Sequence, residues 1–423
     1  MSTPVKQTSA TPLGRPHAGV GDRFRLWWNA QSRPAQWAFG VPFILFIALV
    51  PILNIPVLTT VGTNFGAVMA QFGMIALIAI GLNVVVGQAG LLDLGYVGFY
   101  AVGAYTVALL TSPDSPWNQT GEGNWLSQDW AWLAVLPVAV CITAISGLLL
   151  GSPTLRLRGD YLAIVTLGFG EIVRLLADNL GEITGGGRGL SQVAYPQLGQ
   201  TEANPGGLFS AGNVAGRINS GVWWFWLSLV LIMVVLLFVG NLERSRVGRA
   251  WVAIREDEDA AEIMGVPTFK FKLWAFTIGA AIGGLSGALY AGQVQFVTPT
   301  NFNVINSVLF LCAVVLGGQG NKLGVILGAF IIVYLPNFFL GRTDLFGIPI
   351  NGNEIANYRY LFFGLALMVL MIFRPQGLLP ARQKLLTYGR QLYVAARRTA
   401  KRQHGDAGTG DQHGTTGAEE VSR

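Results

Sequence analysis

The sequence predicts an all-α polytopic membrane protein, and three observations carry that prediction. Of 423 residues, 52% are hydrophobic and only 12% are charged, about half the 25% charged share with which soluble domains cover their surface. Apolar runs recur along the chain at close to the about 20 residues a helix needs to cross a bilayer. Lys and Arg gather in alternate loops, as expected of cytoplasmic segments. The same composition excludes a disordered chain. Cys141 and Cys312 both lie inside apolar runs, so the sequence offers neither a disulfide framework nor a zinc site. All three His (His17, His404, His413) sit in polar tails, which excludes chemistry built on a buried imidazole.

In chain order, residues 1–36 read as a basic, disordered cytoplasmic tail; no short apolar region with a cleavage site follows them, so a signal peptide is not expected. Trp27, Trp28 and Trp37 suit a membrane interface. Spans are expected at Trp37–Leu53, Ala67–Val86, Trp130–Leu150, Val222–Val239, Leu273–Ala291, Leu323–Leu340 and Tyr358–Phe373. Tyr96–Leu110, Tyr161–Ala177 and Val304–Leu316 are shorter or broken by charge. Each of these either crosses or re-enters, for about ten transmembrane helices in all (8–10 as the range). Loop charge favours ten. The 111–129 loop holds only acidic groups, whereas the N-tail, the 241–272 loop and the stretch after Phe373 are dense in Lys and Arg. That alternation holds only if all segments cross, which puts both termini in the cytoplasm. The chain then divides into the 1–36 tail, a 37–380 transmembrane domain with its 241–272 loop, and a basic then disordered 381–423 tail. Topology thus accounts for the net charge of +6, and a nucleic-acid partner is not required.

Gly62–Gly66, Gly147–Gly151, Gly279–Gly283, Gly283–Gly287 and Gly324–Gly328 fit the G-x-x-x-G spacing that lets helix backbones approach closely. Tight packing is the simpler reading; sliding during transport is the other. Asp93, Glu171 and Arg174 are the ionisable groups in or near apolar segments, where charge normally faces a cavity or a partner. Glu171 and Arg174, three apart on one helical face, neutralise each other or line a path. Asp93 sits in Gly87-Gln-Ala-Gly-Leu-Leu-Asp-Leu-Gly95, too Gly-rich for a regular helix. A break there is tolerated at depth only if buried in protein or lining a cavity. Asp93 and Gly95 therefore belong to a translocation path or to a buried cap.

The loop from Glu243 to Lys272 carries a short helix expected over Ile254–Gly265, stopped by Gly265 and Pro267. Ala260, Ala261, Ile263 and Met264 make an apolar face, and Arg255, Glu256, Asp257, Glu258 and Asp259 a charged one. Such a run is either a solvated loop or a plug for another protein's groove.

Asp259-Ala260-Ala261-x-x-x-Gly265 resembles the E-A-A-x-x-x-G signature of ATP-binding cassette (ABC) importer permeases, with Asp for the first Glu. GLNVVVGQAGLLDLGYVGFYAVGAYTVALL (81–110), GDYLAIVTLGFGEIVRLL (159–176) and RSRVGRAWVAIREDEDAAEIMG (244–265) are similar to the branched-chain amino acid permeases of the LivM type. So are SGALYAGQVQFVTPTNF (286–302), the Leu-Gly-Gly-Gln-Gly stretch (316–320) and FRPQGLLP (373–380). The blocks keep family order over roughly residues 65–380, and urea and short-amide permeases share the pattern. The Asp257-Glu258-Asp259 run alters the charge pattern in detail but not its sign.

The resemblance implies an ABC importer permease fold in the bacterial plasma membrane. It implies a coupling helix formed by Arg255, Glu256, Asp257, Asp259, Ala260, Ala261 and Gly265, and a complex with a homologous second permease, two cytoplasmic ATPase subunits and an extracytoplasmic solute-binding protein. ATP and Mg would be used by those ATPases, because Gly318-Gln-Gly-Asn-Lys322 lacks the spacing and hydroxyl of a phosphate-binding loop. No catalytic residue, metal ligand or cofactor is expected on this chain. Gly-rich segments near 81–103 and 277–292 are candidates for lining the route. The rival classes are an ion-coupled secondary transporter, a passive channel and an intramembrane enzyme. The first two have no use for a docking helix, and the third would rest on Asp93 and Glu171 alone.

Overall fold

The protein is described here by a computed structural model at residues 42, 45–53, 64–117, 128–157, 159–200, 206–210, 218–339, 344–345, 348–349, 358–373 and 377–379. The chain forms two compact units, 1–53 and 54–423. In the first, residues 45–53 are helical, within the expected first span; its tail lies outside the described residues.

Among its described residues the second unit is mainly helical, with a short antiparallel hairpin, Asp344–Leu345 with Ile348–Pro349. Its helices are α1 (Phe65–Leu82), α2 (Tyr96–Thr111), α3 (Gln128–Thr154), α4 (Asp160–Asn179), α5 (Ser220–Arg244) and α6 (Arg246–Glu256). They continue with α7 (Glu258–Ile263), α8 (Thr268–Val294), α9 (Val304–Gly317), α10 (Lys322–Phe339) and α11 (Arg359–Phe373). Phe65–Gln88, Trp130–Thr154, α5, α8 and α10 are long and apolar enough to cross a membrane. Stretches Tyr96–Thr111, Val304–Gly317 and Tyr360–Phe373 are apolar but shorter. Helix α4 has 20 residues but carries Asp160, Glu171, Arg174 and Asp178.

Small residues set the packing. Helix α8 lies against α1, α2 and α3, and its glycines stand where other backbones pass. A Cβ on Gly287 would collide with the Tyr100 carbonyl of α2, and one on Gly284 with the Thr143 side chain of α3. Gly147 and Gly151 of α3 face Ala280 and Leu273 of α8, and Gly324 and Gly328 of α10 face the Gly317 and Ala313 carbonyls of α9. Lipid offers apolar chains no gradient toward one another, so close backbone approach does the holding. Each spacing singled out in the sequence and described here makes a packing contact. Buried polar side chains reinforce it: the Ser286 hydroxyl donates to the Met74 carbonyl at 2.8 Å, Tyr96 to the Gly279 carbonyl at 2.6 Å, and the Trp132 indole to the Ala288 carbonyl at 3.1 Å.

The bundle has two distinguishable ends. At one, Asn64 and Asn219 cap α1 and α5 and bond to each other at 2.8 Å, so these helices run parallel. Part of the long 179–221 connection closes over that end, with Leu190 bridging Val297 and Ser191 donating from its amide to Asp114 at 3.1 Å. The Ser191 hydroxyl and amide hold the Asp114 carboxyl below the ordinary carboxylate range. The native state therefore binds this proton less readily than the unfolded chain, and the closure weakens as pH falls through the depressed value. The opposite end, the loop end, holds α6 and α7.

Gly287→Ala should destabilise the protein by about 1–3 kcal/mol through overpacking, seen as a lower thermal unfolding midpoint in detergent. Gly168→Ala, where a Cβ meets nothing within 4 Å, should leave the midpoint unchanged.

Candidate functional site

The expected single helix over 254–265 is two helices. The chain turns at Asp257, whose backbone is extended (φ −159°) and whose carboxylate caps α7 by accepting from the Ala260 amide at 3.0 Å. An Asp with a short polar side chain satisfies the orphan amides of a first turn better than it extends a helix. Glu258 and Asp259 follow it at the positive end of the helix dipole. Arg255 and Glu256 consequently belong to α6 and not to the helix carrying Ala260, Ala261 and Gly265. Gly265 ends α7 at φ +84°, its amide bonding to the Glu262 carbonyl at 2.9 Å while the Val266 amide reaches the Ala261 carbonyl at 3.0 Å. Only glycine adopts that left-handed backbone without strain.

The faces also differ from the sequence expectation. Ala261 is buried, whereas Ile263 and Met264 are 85% and 83% exposed. Glu256, Asp257, Asp259 and Glu262 are exposed beside them. Glu258 instead pairs inward with the buried Lys272 at 2.5 Å, and Arg255 donates to the carbonyl of Gly87. The fully buried Trp251 fastens α6 to α8 by donating to the Phe271 carbonyl at 2.8 Å. The result is a rigidly mounted tip with two large apolar side chains surrounded by acid.

Gly87 lies in a second feature. After Leu82 the first helix widens into a π-turn, Asn83–Gln88, and then stops; residues 89–95 are not helical before α2 begins. The predicted Gly-rich break is thus present. Asp93 lies inside it, 1% exposed, and accepts from the Gly95 amide at 2.9 Å, just ahead of α2. The Leu94 amide bonds to the Thr166 hydroxyl of α4 at 3.1 Å, and a Cβ on Gly95 would meet the Thr166 carbonyl. The π-turn is bolted to its neighbours at the loop end. Asn83 accepts from the Gly320 amide at 2.8 Å, and Gln88 donates to Glu243, which also pairs with Lys322 at 2.6 Å. The sequence reading missed the Gln88–Glu243–Lys322 set; its one signal was a lone acid at the end of an apolar span.

Glu171 and Arg174 bond to each other, Arg174 Nε donating at 2.9 Å. They stand on α4 among exposed Ile164, Ile172 and Leu175, and the structure does not bring them to Asp93.

A cavity of about 590 Å³ opens toward the Asn64 end, between α1, α2, α8, α9, α10 and α11. Its polar lining includes Gln71, Tyr100, Tyr290, Asn301, Asn306 and Asn337. Among the described residues that line it none carries a charge. Tyr290 accepts from Asn301 at 2.6 Å, and Asn306 donates to the Asn301 carbonyl at 2.8 Å. Its size and mostly neutral lining fit a small-solute site. Of the Gly-rich segments proposed to line the route, only Tyr100 and Tyr290 reach it; the amides lie in connections and helix ends whose convergence no local pattern reveals. Among the described residues no group of three or more His, Cys, Asp or Glu gathers to hold a metal ion.

Residues 64–372 match the family described as "Branched-chain amino acid transport system / permease component". The chain is 40% identical over 346 residues to the high-affinity branched-chain amino acid transport system permease protein LivM of Escherichia coli K12, covering 79% of this chain and 75% of that one. It is 42% identical over 312 residues to the Salmonella typhimurium protein of the same name, covering 72% and 67%. A probable LivM of Methanocaldococcus jannaschii is 27% identical over 344 residues, covering 74% and 93%. No solved structure matches.

Asp257→Ala should remove the α7 cap at a cost of about 1 kcal/mol, and Gly265→Ala should strain its end by about 1–2 kcal/mol. Amide hydrogen exchange over 258–263 should accelerate in both variants, while Asp257→Asn, which keeps an acceptor, should exchange nearly as the parent does.

Proposed function

The chain belongs to the branched-chain amino acid transport permease family, and on that premise we propose that ATPase subunits seated on α7 drive solute from the Asn64-end cavity past the 89–95 break. It is a multi-pass membrane protein and the permease component of a branched-chain amino acid ABC transport system, a transport subunit and not a catalytic one. The observation that carries the docking role is the exposed Ile263–Met264 pair at the tip of a capped, acid-rimmed helix. A large apolar pair on a rigid mount is the form of a side chain set that fills a partner's groove. The loop end then faces the cytoplasm, in keeping with Arg244, Arg246, Arg249 and Lys322 gathered there. Helix α4, the short α2, α9 and α11 and the span ending at residue 53 complete about ten crossings of the bacterial plasma membrane, with both termini on its cytoplasmic side.

The partners are those the family resemblance implies, and the surfaces are in keeping with them. An extracytoplasmic binding protein delivers solute at the Asn64 end, where neutral amides and phenols suit a zwitterion that must pass without sticking. Two ATPases supply ATP and Mg chemistry, one on this α7 and one on a homologous second permease. That second permease covers α4. A charged residue in contact with lipid at the bilayer centre costs about 2.5–3.5 kcal/mol, so the Glu171–Arg174 pair on this apolar face calls for a protein partner or a water-filled path.

Replacing both Ile263 and Met264 with Asp should abolish uptake and binding-protein-stimulated ATPase activity in the reconstituted complex while leaving insertion intact; full transport would refute the docking role. Glu171→Gln alone should lower the yield of folded complex more than Glu171→Gln combined with Arg174→Gln. Equal yields with transport lost in both would assign the pair to the path.

A further inference from the structure

Arg255 was grouped by sequence with the docking residues, yet its side chain points the other way. It donates to the Gly87 carbonyl inside the π-turn, and a Cβ on Gly90 would stand 3.0 Å from its Cγ. Gly90 itself has φ +73°, so the chain bends under the Arg255 stem. The 83–95 stretch therefore touches the 243–272 loop through Arg255, besides the Gln88–Glu243 bond.

Resting on the docking reading above, we propose that Arg255 is the positioning residue that transmits movement of α6 and α7 to the 83–95 break, and through it to the solute cavity. The contacts run without interruption. Arg255 holds Gly87 and Gly90; residues 89–95 lead directly into α2; and Tyr100, one turn into α2, forms part of the cavity wall. Tyr96, between them, bonds to Gly279 of α8.

Two further observations are in keeping with a break that can rearrange. The π-turn leaves Asn83 Nδ2 and Gln88 Oε1 buried without partners. An unmade bond of this kind raises the energy of the arrangement that holds it. A cavity of about 170 Å³ also lies beside the break, bordered by Gly90, Leu92, Gly159, Asp160, Arg255 and Lys272. It opens to the surface and leaves room where the break would shift if Arg255 moved. The neighbouring Glu258–Lys272 pair ties α7 to α8.

The test uses the complete transporter in proteoliposomes, with Cys141 and Cys312 replaced by Ser and Leu92→Cys as reporter. Leu92 is 37% exposed in the break, and labelling of the new thiol by a maleimide should change in rate when ATP is added. Arg255→Ala should assemble and keep basal ATPase activity, lose about tenfold in uptake, and lose the ATP-dependent change in labelling. Arg255→Lys, which keeps a donor, should recover part of both. Gly90→Ala, which presses on the Arg255 stem without touching the docking loop, should reproduce the uncoupling even if Arg255→Ala assembles poorly. Normal uptake with ATP-responsive labelling in Arg255→Ala, or in Gly90→Ala when Arg255→Ala fails to assemble, would overturn the proposal. Absence of ATP-driven uptake by the unmutated complex would overturn the docking reading instead.

Discussion

Where the 24-residue Phe65–Gln88 span gives way to non-helical chain, backbone amides and carbonyls lose their helical partners and need others, and this constraint organises the molecule around residues 83–95. Irregular backbone survives at depth only when protein encloses it. Here Gly320, Thr166, Arg255 and Glu243 supply bonds from elements far apart in sequence. Each of those elements must therefore end at the same place. The meeting of α4, α5, α6 and α10 around one broken stretch follows from that requirement.

Glycine makes the enclosure possible. The backbones of α2 and α8 approach so closely at Gly287 and Gly103 that neither position has room for a methyl group. Such contacts are short-ranged and do not tolerate gradual deformation, so packed helices shift as units between discrete arrangements. A bundle held in this way transmits a displacement at one end to the other, as a driven permease needs. On the proposed reading, the cavity at the Asn64 end and the α7 tip at the loop end are two ends of one mechanism, joined through α2 and α8.

Charge is used sparingly and locally. The cavity presents amides and phenols, whereas the ion pairs Glu243–Lys322 and Glu258–Lys272 stand at the loop end, where they tie α5 to α10 and α7 to α8. On the proposed reading, a zwitterion moving through this neutral cavity meets no single strong counter-charge, which favours passage over retention.

Much of this was legible in the chain because it depends on local order. Apolar length marks a span whatever surrounds it, a Gly-rich run cannot sustain a helix, and Glu171 meets Arg174 because three residues bring them onto one face. The kink at Asp257 was equally local but was overlooked, since a run of acids reads as a charged helix until one of them is recognised as a cap. What tertiary structure alone decided is direction and convergence. Arg255 and Glu258 turn inward while Ile263 and Met264 turn out, because Gly87 and Lys272, distant in sequence, offer the buried bonds that a charged or polar group needs. The same holds for Gln71, Tyr290, Asn301 and Asn337, which share one cavity only because six helices close around it.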